Sequence, residues 1–346
     1  MDTRILNSGD RHLEVSALCL GAMHLGVKLD EQSSFDVLDR YYEAGGRFID
    51  TANNYGGWTP ELGTEAGDSE ATVGRWLASR KVTDVVIGTK SGAGKLDPAR
   101  PLSGEPPTNY EGLSPERVRQ ELTGSLRRLG VEQIGVYYGH VDDRTQDVGE
   151  IADLYSSLVD EGLITIPGYS NTATWRLALI RDRAGQAGGH PIGAWQHQHS
   201  IYWPSPGHSE DTVVTPEAID YAASEPELTI ISYSPQQGGQ LVRPWMEIQQ
   251  PYRHPGSERR LRMVHQIAHE HGATANQVAL AWHLVGPRSN LSYQPGHQQT
   301  SPEDLPIRRA PMVPVFGASS TAQLDEAIGA LDLKLTEEQL DRLDQP

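Results

Sequence analysis

Eight short apolar runs, separated by stretches of helical periodicity, dominate this sequence of 346 residues. The predicted strands are 15–20, 48–51, 85–89, 134–138, 163–167, 192–196, 228–233 and 312–316. β-rich runs that alternate with helices are typical of βα units around a parallel sheet, and eight units of roughly 40 residues favour a closed barrel. No glycine-rich GxGxxG fingerprint follows an early strand, which argues against an open dinucleotide-binding sheet. We therefore predict one α/β domain over 1–346, a (β/α)8 TIM barrel with long loops on its C-terminal face.

Helix start signals lie between the predicted strands. Ser114 and Thr215 each precede a proline and a glutamate, a pattern that places an N-cap before Pro at the first helical position. Ser33 is the predicted N-cap of the first helix. The predicted helices are 34–44, 70–79, 115–129, 151–159, 174–183, 218–223, 261–271, 276–285 and 321–331. Together with the strands they complete the alternation that a barrel requires.

Four segments rich in Gly and Pro interrupt the pattern. Segments 56–67, 92–112 and 234–257 follow predicted strands, at the face where barrel enzymes build their sites. Segment 286–311 precedes the last strand, and we predict that it is a surface insertion. Trp58, Trp203, Trp245 and Tyr252 lie in predicted rim loops, where they either wall a pocket or pack within the loops.

Composition excludes several classes of function. With 29 basic and 46 acidic residues the formal net charge is −17, which disfavours nucleic acid and anionic membranes as partners. The single cysteine, Cys19, permits no internal disulfide, and no apolar run is long enough to span a membrane. The histidines His197, His199, His208 and His254 lack metal-ligand spacing, so no metal site is predicted. We expect a cytoplasmic globular protein.

Polar side chains follow three consecutive predicted strands where each strand ends. Asp50 ends the second strand, Lys90 and His140 follow the third and fourth, and Tyr55 lies in a glycine-rich turn after Asp50. Because the C-terminal ends of barrel strands open onto one face, we expect these side chains to converge. A phenol beside an ammonium is suited to general acid catalysis at a carbonyl, and we expect Lys90 to lower the pKa of Tyr55. No side chain carries a hydride, so redox chemistry here requires a nicotinamide cofactor.

The run Phe48-Ile49-Asp50-Thr51-Ala52-Asn53-Asn54-Tyr55-Gly56 resembles the Asp-Thr-Ala-x-x-Tyr-Gly motif of the aldo-keto reductase family. Segments 15–21, 88–90, 137–140, 168–171, 233–235 and 313–320 are similar to further motifs of that family, in the same order. The resemblance covers nearly the whole chain. It implies a (β/α)8 barrel that binds NADPH in an extended form, and a small carbonyl compound as substrate.

The resemblance also implies roles for individual residues. Asp50, Tyr55, Lys90 and His140 would form the catalytic tetrad, with Tyr55 as the proton donor. The residues implied at the cofactor are Ser170, Asn171, Gln196 and Tyr233 at the nicotinamide, Ser234, Gly239 and Arg243 at the pyrophosphate, and Gly317, Ser319, Ser320 and Gln323 at the adenosine 2′-phosphate. NADPH is favoured over NADH, although segment 317–323 holds no Arg or Lys against the 2′-phosphate.

Two other functions stay open at this point. One is an alcohol or sugar dehydrogenase that runs the reverse reaction with the same tetrad. The other is a cofactor-binding regulatory subunit of the kind that associates with membrane channels, although nothing in the sequence indicates an interaction arm. The substrate and the oligomeric state are not specified by these motifs.

Overall fold

Eight parallel strands close into a barrel in a computed structural model that describes residues 1–97, 99–100, 109–205, 212–243, 245–248, 250, 252–289 and 308–345. Around the barrel the strand order is β10-β3-β4-β5-β6-β7-β8-β9. The strands are β1 (Thr3–Ser8), β2 (Arg11–Ser16), β3 (Cys19–Gly21), β4 (Phe48–Asp50), β5 (Val86–Ser91), β6 (Ile134–Gly139), β7 (Ile164–Ser170), β8 (Ala194–Gln198), β9 (Thr229–Tyr233) and β10 (Met312–Phe316). The predicted (β/α)8 barrel is therefore confirmed.

Helices surround the barrel and connect its strands. They are α1 (Glu31–Glu43), α2 (Asp68–Arg80), α3 (Pro115–Leu129), α4 (Val148–Asp160), α5 (Thr174–Gln186), α6 (Pro216–Ser224), α7 (Pro255–His271), α8 (Ala275–Val285), α9 (Thr321–Ile328) and α10 (Glu337–Asp344). Among the residues described, no helix combines the length and apolar character needed to cross a bilayer.

Side chains alternate between the interior of the barrel and the layer beneath the helices. On β6, Val136 and Tyr138 belong to the interior cluster, whereas Tyr137 packs with residues of the helices. Phe48 likewise faces the interior and Ile49 the helices. Because side chains of a strand alternate with a period of two, the next residues on the interior face lie at the C-terminal mouth. This register directs polar residues at the strand ends into one cavity.

The first predicted strand, 15–20, is wrong in extent. Its first two residues end the antiparallel hairpin β1–β2, and the barrel strand begins only at Cys19. Gly9 has a φ of +59° in the two-residue turn between Ser8 and Arg11, a conformation that glycine adopts without strain. The hairpin buries Leu6 against the interior cluster of the barrel. A Gly-Asp pair between two alternating runs is the signal for this hairpin, and our interpretation overlooked it.

Of the three N-caps predicted above, two are confirmed and one is wrong. Ser114 and Thr215 cap α3 and α6, as predicted, by accepting hydrogen bonds from backbone N–H groups of the first turn. The N-cap of α1 is Asp30 rather than Ser33, whose own N–H donates to the Asp30 side chain. The last helix, α10, was not predicted, although Thr336 forms a capping box with Gln339.

The long loops lie where the strand order predicts them. Segment 56–67 includes a 3-10 turn at Pro60–Leu62, and segment 234–257 includes another at Gln237–Val242 and the first residues of α7. Of segment 286–311, residues 290–307 fall outside the described residues. At its base, Arg288 and Arg309 form an antiparallel bridge. That the segment is a surface insertion stays a prediction.

Candidate active site

Lys90 lies at the centre of the polar cluster at the mouth of the barrel. Its Nζ donates to Asp50 Oδ2 at 2.6 Å and to the carbonyl oxygen of Thr51 at 2.6 Å, and it lies 3.4 Å from the Tyr55 hydroxyl. The Lys90 side chain has no exposed surface, and that of Asp50 is 4% exposed. The sequence-predicted convergence of a carboxylate, an ammonium and a phenol is therefore present in the structure.

Burial and charge pairing act in opposite directions on the pKa values of this cluster. Burial lowers the pKa of Lys90, but its interactions with Asp50 and then with Tyr55 outweigh that effect, so its pKa is raised above the ordinary value. Burial raises the pKa of Tyr55, and the charge of Lys90 lowers it only in part. Our expectation of a lowered phenol pKa is wrong in sign, because removal from water disfavours the phenolate more than one ammonium favours it. Tyr55 is a neutral phenol at neutral pH.

His140 follows β6 and borders Tyr55 with its ring. The two ring centroids are 5.9 Å apart and the rings are nearly perpendicular. Burial and then the charge of Lys90 lower the pKa of His140 well below its ordinary value, so the imidazole is neutral. Its Nδ1 has no hydrogen-bond partner among the described residues. A neutral ring at this position has one N–H group, which is able to donate a hydrogen bond to an acceptor in the cavity.

A glycine-rich turn and the start of α2 hold Tyr55 in place. The N–H of Gly67 donates to the Tyr55 carbonyl oxygen at 3.2 Å. Gly56 has a φ of +105°, and a Cβ there would lie 2.0 Å from the carbonyl oxygen of Glu65. Only glycine fits that turn, because a larger residue meets both backbone strain and a direct clash.

Trp58 forms one wall beside the reacting groups. Its Nε1 donates to the carbonyl oxygen of Ala93 at 3.2 Å, and its ring lies 5.6 Å from that of His140 and 6.0 Å from that of Tyr55. The other predicted rim aromatics do not line this cavity. Tyr252 and Trp203 pack against core clusters, and Trp245 is 77% exposed.

A cavity of about 660 Å³ runs from these groups along the barrel mouth to helices α8 and α9. Most predicted site residues line it: Asp50, Tyr55, His140, Ser170, Asn171, Gln196, Tyr233, Ser234, Gly239, Arg243, Gly317, Ser319 and Gln323. Lys90 and Ser320 do not. Lys90 lies behind Tyr55, and the Ser320 hydroxyl caps α9 by accepting from the N–H of Gln323.

Amide and hydroxyl groups form two sets of hydrogen bonds beside Asp50. Gln196 Nε2 donates to Asp50 Oδ1 at 2.9 Å. Asn171 Nδ2 donates to Ser170 Oγ at 3.0 Å, and its Oδ1 accepts from the Tyr233 hydroxyl at 2.8 Å. Asn171 has a φ of +50°, which turns the chain directly after β7. These hydrogen bonds hold the side chains in place, and the side chains offer donors and acceptors of the kind that a carboxamide pairs with.

The loop after β9 curls over the cavity. Ser234, Gly238 and Gly239 all have positive φ values, +59°, +63° and +87°. Arg243 lies under this curl, with Nη1 3.4 Å from the carbonyl oxygen of Gly238. On the opposite side, the N–H and hydroxyl of Ser319 both donate to Gln323 Oε1, at 2.9 and 2.8 Å.

Sequence reasoning missed several residues that line the cavity. The most informative are His24 and Lys28, on the loop after β3, and Asn276 and Glu326, on α8 and α9. Of the lysines and arginines described, Lys28 and Arg243 line the cavity, and neither has a carboxylate partner within the described part of the chain. No strand-end pattern marks these positions, so only the folded arrangement reveals them. Within those same residues, no group of three or more His, Cys, Asp or Glu side chains is placed to hold a metal ion.

The chain is similar to known oxidoreductases, which agrees with the geometry of the site. The uncharacterized oxidoreductase YrpG of Bacillus subtilis is 29% identical over 339 residues, which cover 95% of this chain and 91% of YrpG. The norsolorinic acid reductase of Aspergillus flavus is 34% identical over 203 residues, which cover 56% of this chain and 48% of that reductase.

A solved structure shares the fold. The thermostable aldo-keto reductase Tm1743, crystallised with the inhibitor epalrestat, superposes with a TM-score of 0.69 at 22% identity, covering 99% of each chain. The model of the Aldo/keto reductase family matches residues 17–346. A match over almost the entire barrel, with the phenol, ammonium, carboxylate and imidazole assembled at its mouth, shows that this oxidoreductase belongs to the aldo/keto reductase family.

Proposed function

We propose that this protein reduces an aldehyde or ketone to an alcohol with NADPH, and that Tyr55 donates the proton to the carbonyl oxygen. The observation that carries this proposal is the state of Tyr55. Its hydroxyl lies 3.4 Å from Lys90 Nζ in the cavity, and its raised pKa keeps it protonated at neutral pH. A neutral phenol is the form that a general acid needs.

The surrounding residues have distinct roles in this proposal. The charge of Lys90 stabilises the phenolate that forms as Tyr55 gives up its proton. Asp50 keeps Lys90 charged and in place through the 2.6 Å ion pair. His140 is neutral and borders the phenol, so it is suited to orient the carbonyl oxygen by a hydrogen bond without competing as a charged acid.

The remaining cavity residues fit a nicotinamide dinucleotide phosphate. NADPH, when bound, supplies the hydride. Ser170, Asn171 and Gln196 would hold the carboxamide, and Tyr233 would pack on the ring beside them. Lys28 and Arg243 would face the pyrophosphate, since cations that line a cavity without a carboxylate partner among the described residues attract an anion. Ser319 and Gln323, at the start of α9, would surround the 2′-phosphate.

The test is steady-state oxidation of NADPH with a panel of aromatic aldehydes, aliphatic aldehydes and ketones. We expect turnover with at least one class, and we expect Tyr55→Phe to lower kcat by about 100-fold or more. The Kd for NADPH should stay within about twofold, because the substitution removes one oxygen and little contact surface. Tyr42→Phe is the matched control, since the Tyr42 hydroxyl bonds to exposed Asp84 outside the cavity.

Two results would contradict the proposal. Unchanged turnover in Tyr55→Phe would exclude this phenol as the acid. Tight binding of NADPH without turnover of any carbonyl compound, or of any alcohol with NADP⁺, would instead favour a cofactor-binding regulatory role.

A further inference from the structure

Tyr55 and Lys90 belong to different βα units, so their 3.4 Å contact depends on how the turn that carries Tyr55 is held against the end of β5. One link is a backbone hydrogen bond, in which the N–H of Asn53 donates to the carbonyl oxygen of Lys90 at 3.0 Å. The Asn53 side chain, which is buried, forms a second link to the loop after β5. The turn is therefore attached at two points through one residue.

Glu111 is the acceptor at the second point. Its Oε1 accepts a hydrogen bond from Asn53 Nδ2 at 2.9 Å and another from the backbone N–H of Gly92 at 2.6 Å. Because Gly92 is two residues after Lys90, a single carboxylate oxygen joins the Tyr55 turn to the end of β5. Hydrogen bonds to a carboxylate are stronger than those to a neutral acceptor.

The backbone around Glu111 is itself paired. The N–H of Glu111 donates to the carbonyl oxygen of Gly94 at 2.9 Å, and Lys95 and Tyr110 form an antiparallel bridge. A Cβ at Gly94 would lie 2.6 Å from Glu111 Oε2, so glycine leaves the room that the carboxylate needs. Glu111 therefore extends from a hydrogen-bonded segment towards the Tyr55 turn.

The Asn53 amide has a defined orientation. Its Nδ2 also donates to Glu121 Oε2, on α3, at 3.0 Å. Carboxylates only accept hydrogen bonds, so the amide nitrogen faces both glutamates and has one N–H for each. Aspartate at position 53 would place a third carboxylate against the other two, and alanine offers no donor. This position therefore needs an amide.

We propose that Glu111 is a positioning residue for the proton transfer, which holds the Tyr55 hydroxyl in register with Lys90 Nζ through Asn53 and the N–H of Gly92. This inference rests on the proposed function, in which Tyr55 is the acid. Neither Glu111 nor Asn53 lines the cavity, so they act without contact to the substrate or the dinucleotide. Small displacements matter here, because a shift of about 1 Å in a reacting group costs up to about 100-fold in rate.

Glu111→Ala and Asn53→Ala remove the contact from its two ends. We expect each to lower kcat for carbonyl reduction by about tenfold, with KM and the Kd for NADPH within about twofold of the wild type. The double variant should lose little more than the weaker single variant, because both changes break one contact. If one alanine variant does not fold, the other breaks the same contact and is measured alone.

The pH profile separates positioning from a general loss of stability. The charge of Lys90 lowers the pKa of Tyr55 in part, and this effect weakens when the two groups are held less closely. Alcohol oxidation by the alanine variants should therefore rise at higher pH than in the wild type. A substitution that only weakens the fold would leave the position of the profile unchanged.

Hydrogen–deuterium exchange of the full chain without ligand is the second measurement. The backbone amides of residues 52–57 should exchange faster in Glu111→Ala than in the wild type. Glu111→Gln keeps an acceptor oxygen and should restore both kcat and the exchange rate. Glu161→Ala is the matched control, since Glu161 pairs with Arg119 at the exposed surface and should change neither.

The two hypotheses fail in different ways. Wild-type kcat and an unshifted pH profile in the alanine variants would overturn this inference alone. A loss of kcat in Glu111→Gln equal to that in Glu111→Ala would also overturn it, because the charge and not the contact would then be responsible. If Tyr55→Phe turns over like the wild type, the proposed function is wrong, and this inference with it.

Discussion

Lys90 and Asp50 form an ion pair inside the barrel, with Nζ 2.6 Å from Oδ2 and with 0% and 4% of the two side chains exposed. Burial alone lowers the pKa of Lys90, and Asp50, together with Tyr55, reverses that effect. The pair therefore has two functions in this fold. It compensates a buried charge, and it keeps a cation beside the hydroxyl of Tyr55.

Asp50→Asn should lower the free energy of unfolding by about 3 to 5 kcal/mol, because it leaves a buried ammonium without its counter-charge. Urea unfolding at neutral pH measures the change. Glu31→Gln, which breaks the exposed pair with Arg75, is the control and should leave stability nearly unchanged. Equal, small losses in both variants would contradict a buried charge at Lys90.

The reverse reaction should report the environment of Tyr55 through its pH profile. Alcohol oxidation needs the phenolate, and burial raises the pKa of Tyr55 above the ordinary value of 10.0. We therefore expect kcat/KM for alcohol oxidation with NADP⁺ to rise throughout the neutral and alkaline range. Since Lys90 partly lowers this pKa, Lys90→Met should move the rise to still higher pH. A profile that keeps its position in the variant would show that Tyr55 is not the titrating base.

The barrel and most of the cavity residues were predictable because they depend on local patterns. Because side chains on a strand alternate with a period of two, Phe48 and Asp50 lie on the same interior face of β4, and Asp50 lies at the mouth of the barrel. The apolar run of the sequence marks the strand itself. Likewise, Pro115 and Pro216 follow hydroxyl caps that locate α3 and α6. Each of these signals is contained within a few consecutive residues of the sequence.

The remaining features depend on contacts between distant segments. Asn276 and Glu326 are 50 positions apart, and neither belongs to a strand end, so no local pattern joins them. The pKa of Tyr55 was predicted with the wrong sign because the sequence shows its charged neighbour but not the extent of its burial. Burial is a property of the closed barrel.

Ser320→Ala should act on stability rather than on the choice between NADPH and NADH. The hydroxyl caps α9 and does not line the cavity. Loss of a serine N-cap costs about 1 kcal/mol, which urea unfolding is able to measure. Ser319→Ala is the comparison, because Ser319 does line the cavity and should weaken NADPH more than NADH. A selective loss of NADPH binding in Ser320→Ala would contradict the capping role.

His197 should make the protein less stable in mild acid. Burial lowers its pKa from 6.5 to about 4, although the hydrogen bond to the Thr172 carbonyl opposes this. The unfolded state then binds more protons below pH 6.5, so stability is complete above that pH and is lost as the pH falls towards 4. At about pH 5 the loss from this residue is about 2 kcal/mol.

Unfolding of the wild type and of His197→Asn, measured at about pH 8 and about pH 5, isolates this effect. The imidazole is uncharged in both states at the higher pH, so that measurement gives the cost of the substitution itself. The variant should lose less stability on acidification than the wild type. Parallel losses would mean that His197 does not titrate on unfolding.

Lys28 should contribute to dinucleotide affinity through its charge. It is exposed at the rim of the cavity and has no carboxylate partner among the residues described, unlike most arginines of this acidic chain. Lys28→Ala should therefore weaken NADPH binding by about threefold to tenfold at low salt, and the difference should shrink as salt screens the exposed charge. Lys334→Ala is the control, because Lys334 lies on the connection before α10 and does not line the cavity. Tryptophan fluorescence titrations at several salt concentrations measure both effects, and a salt-independent loss would indicate that Lys28 acts by shaping its loop rather than by attracting the phosphates.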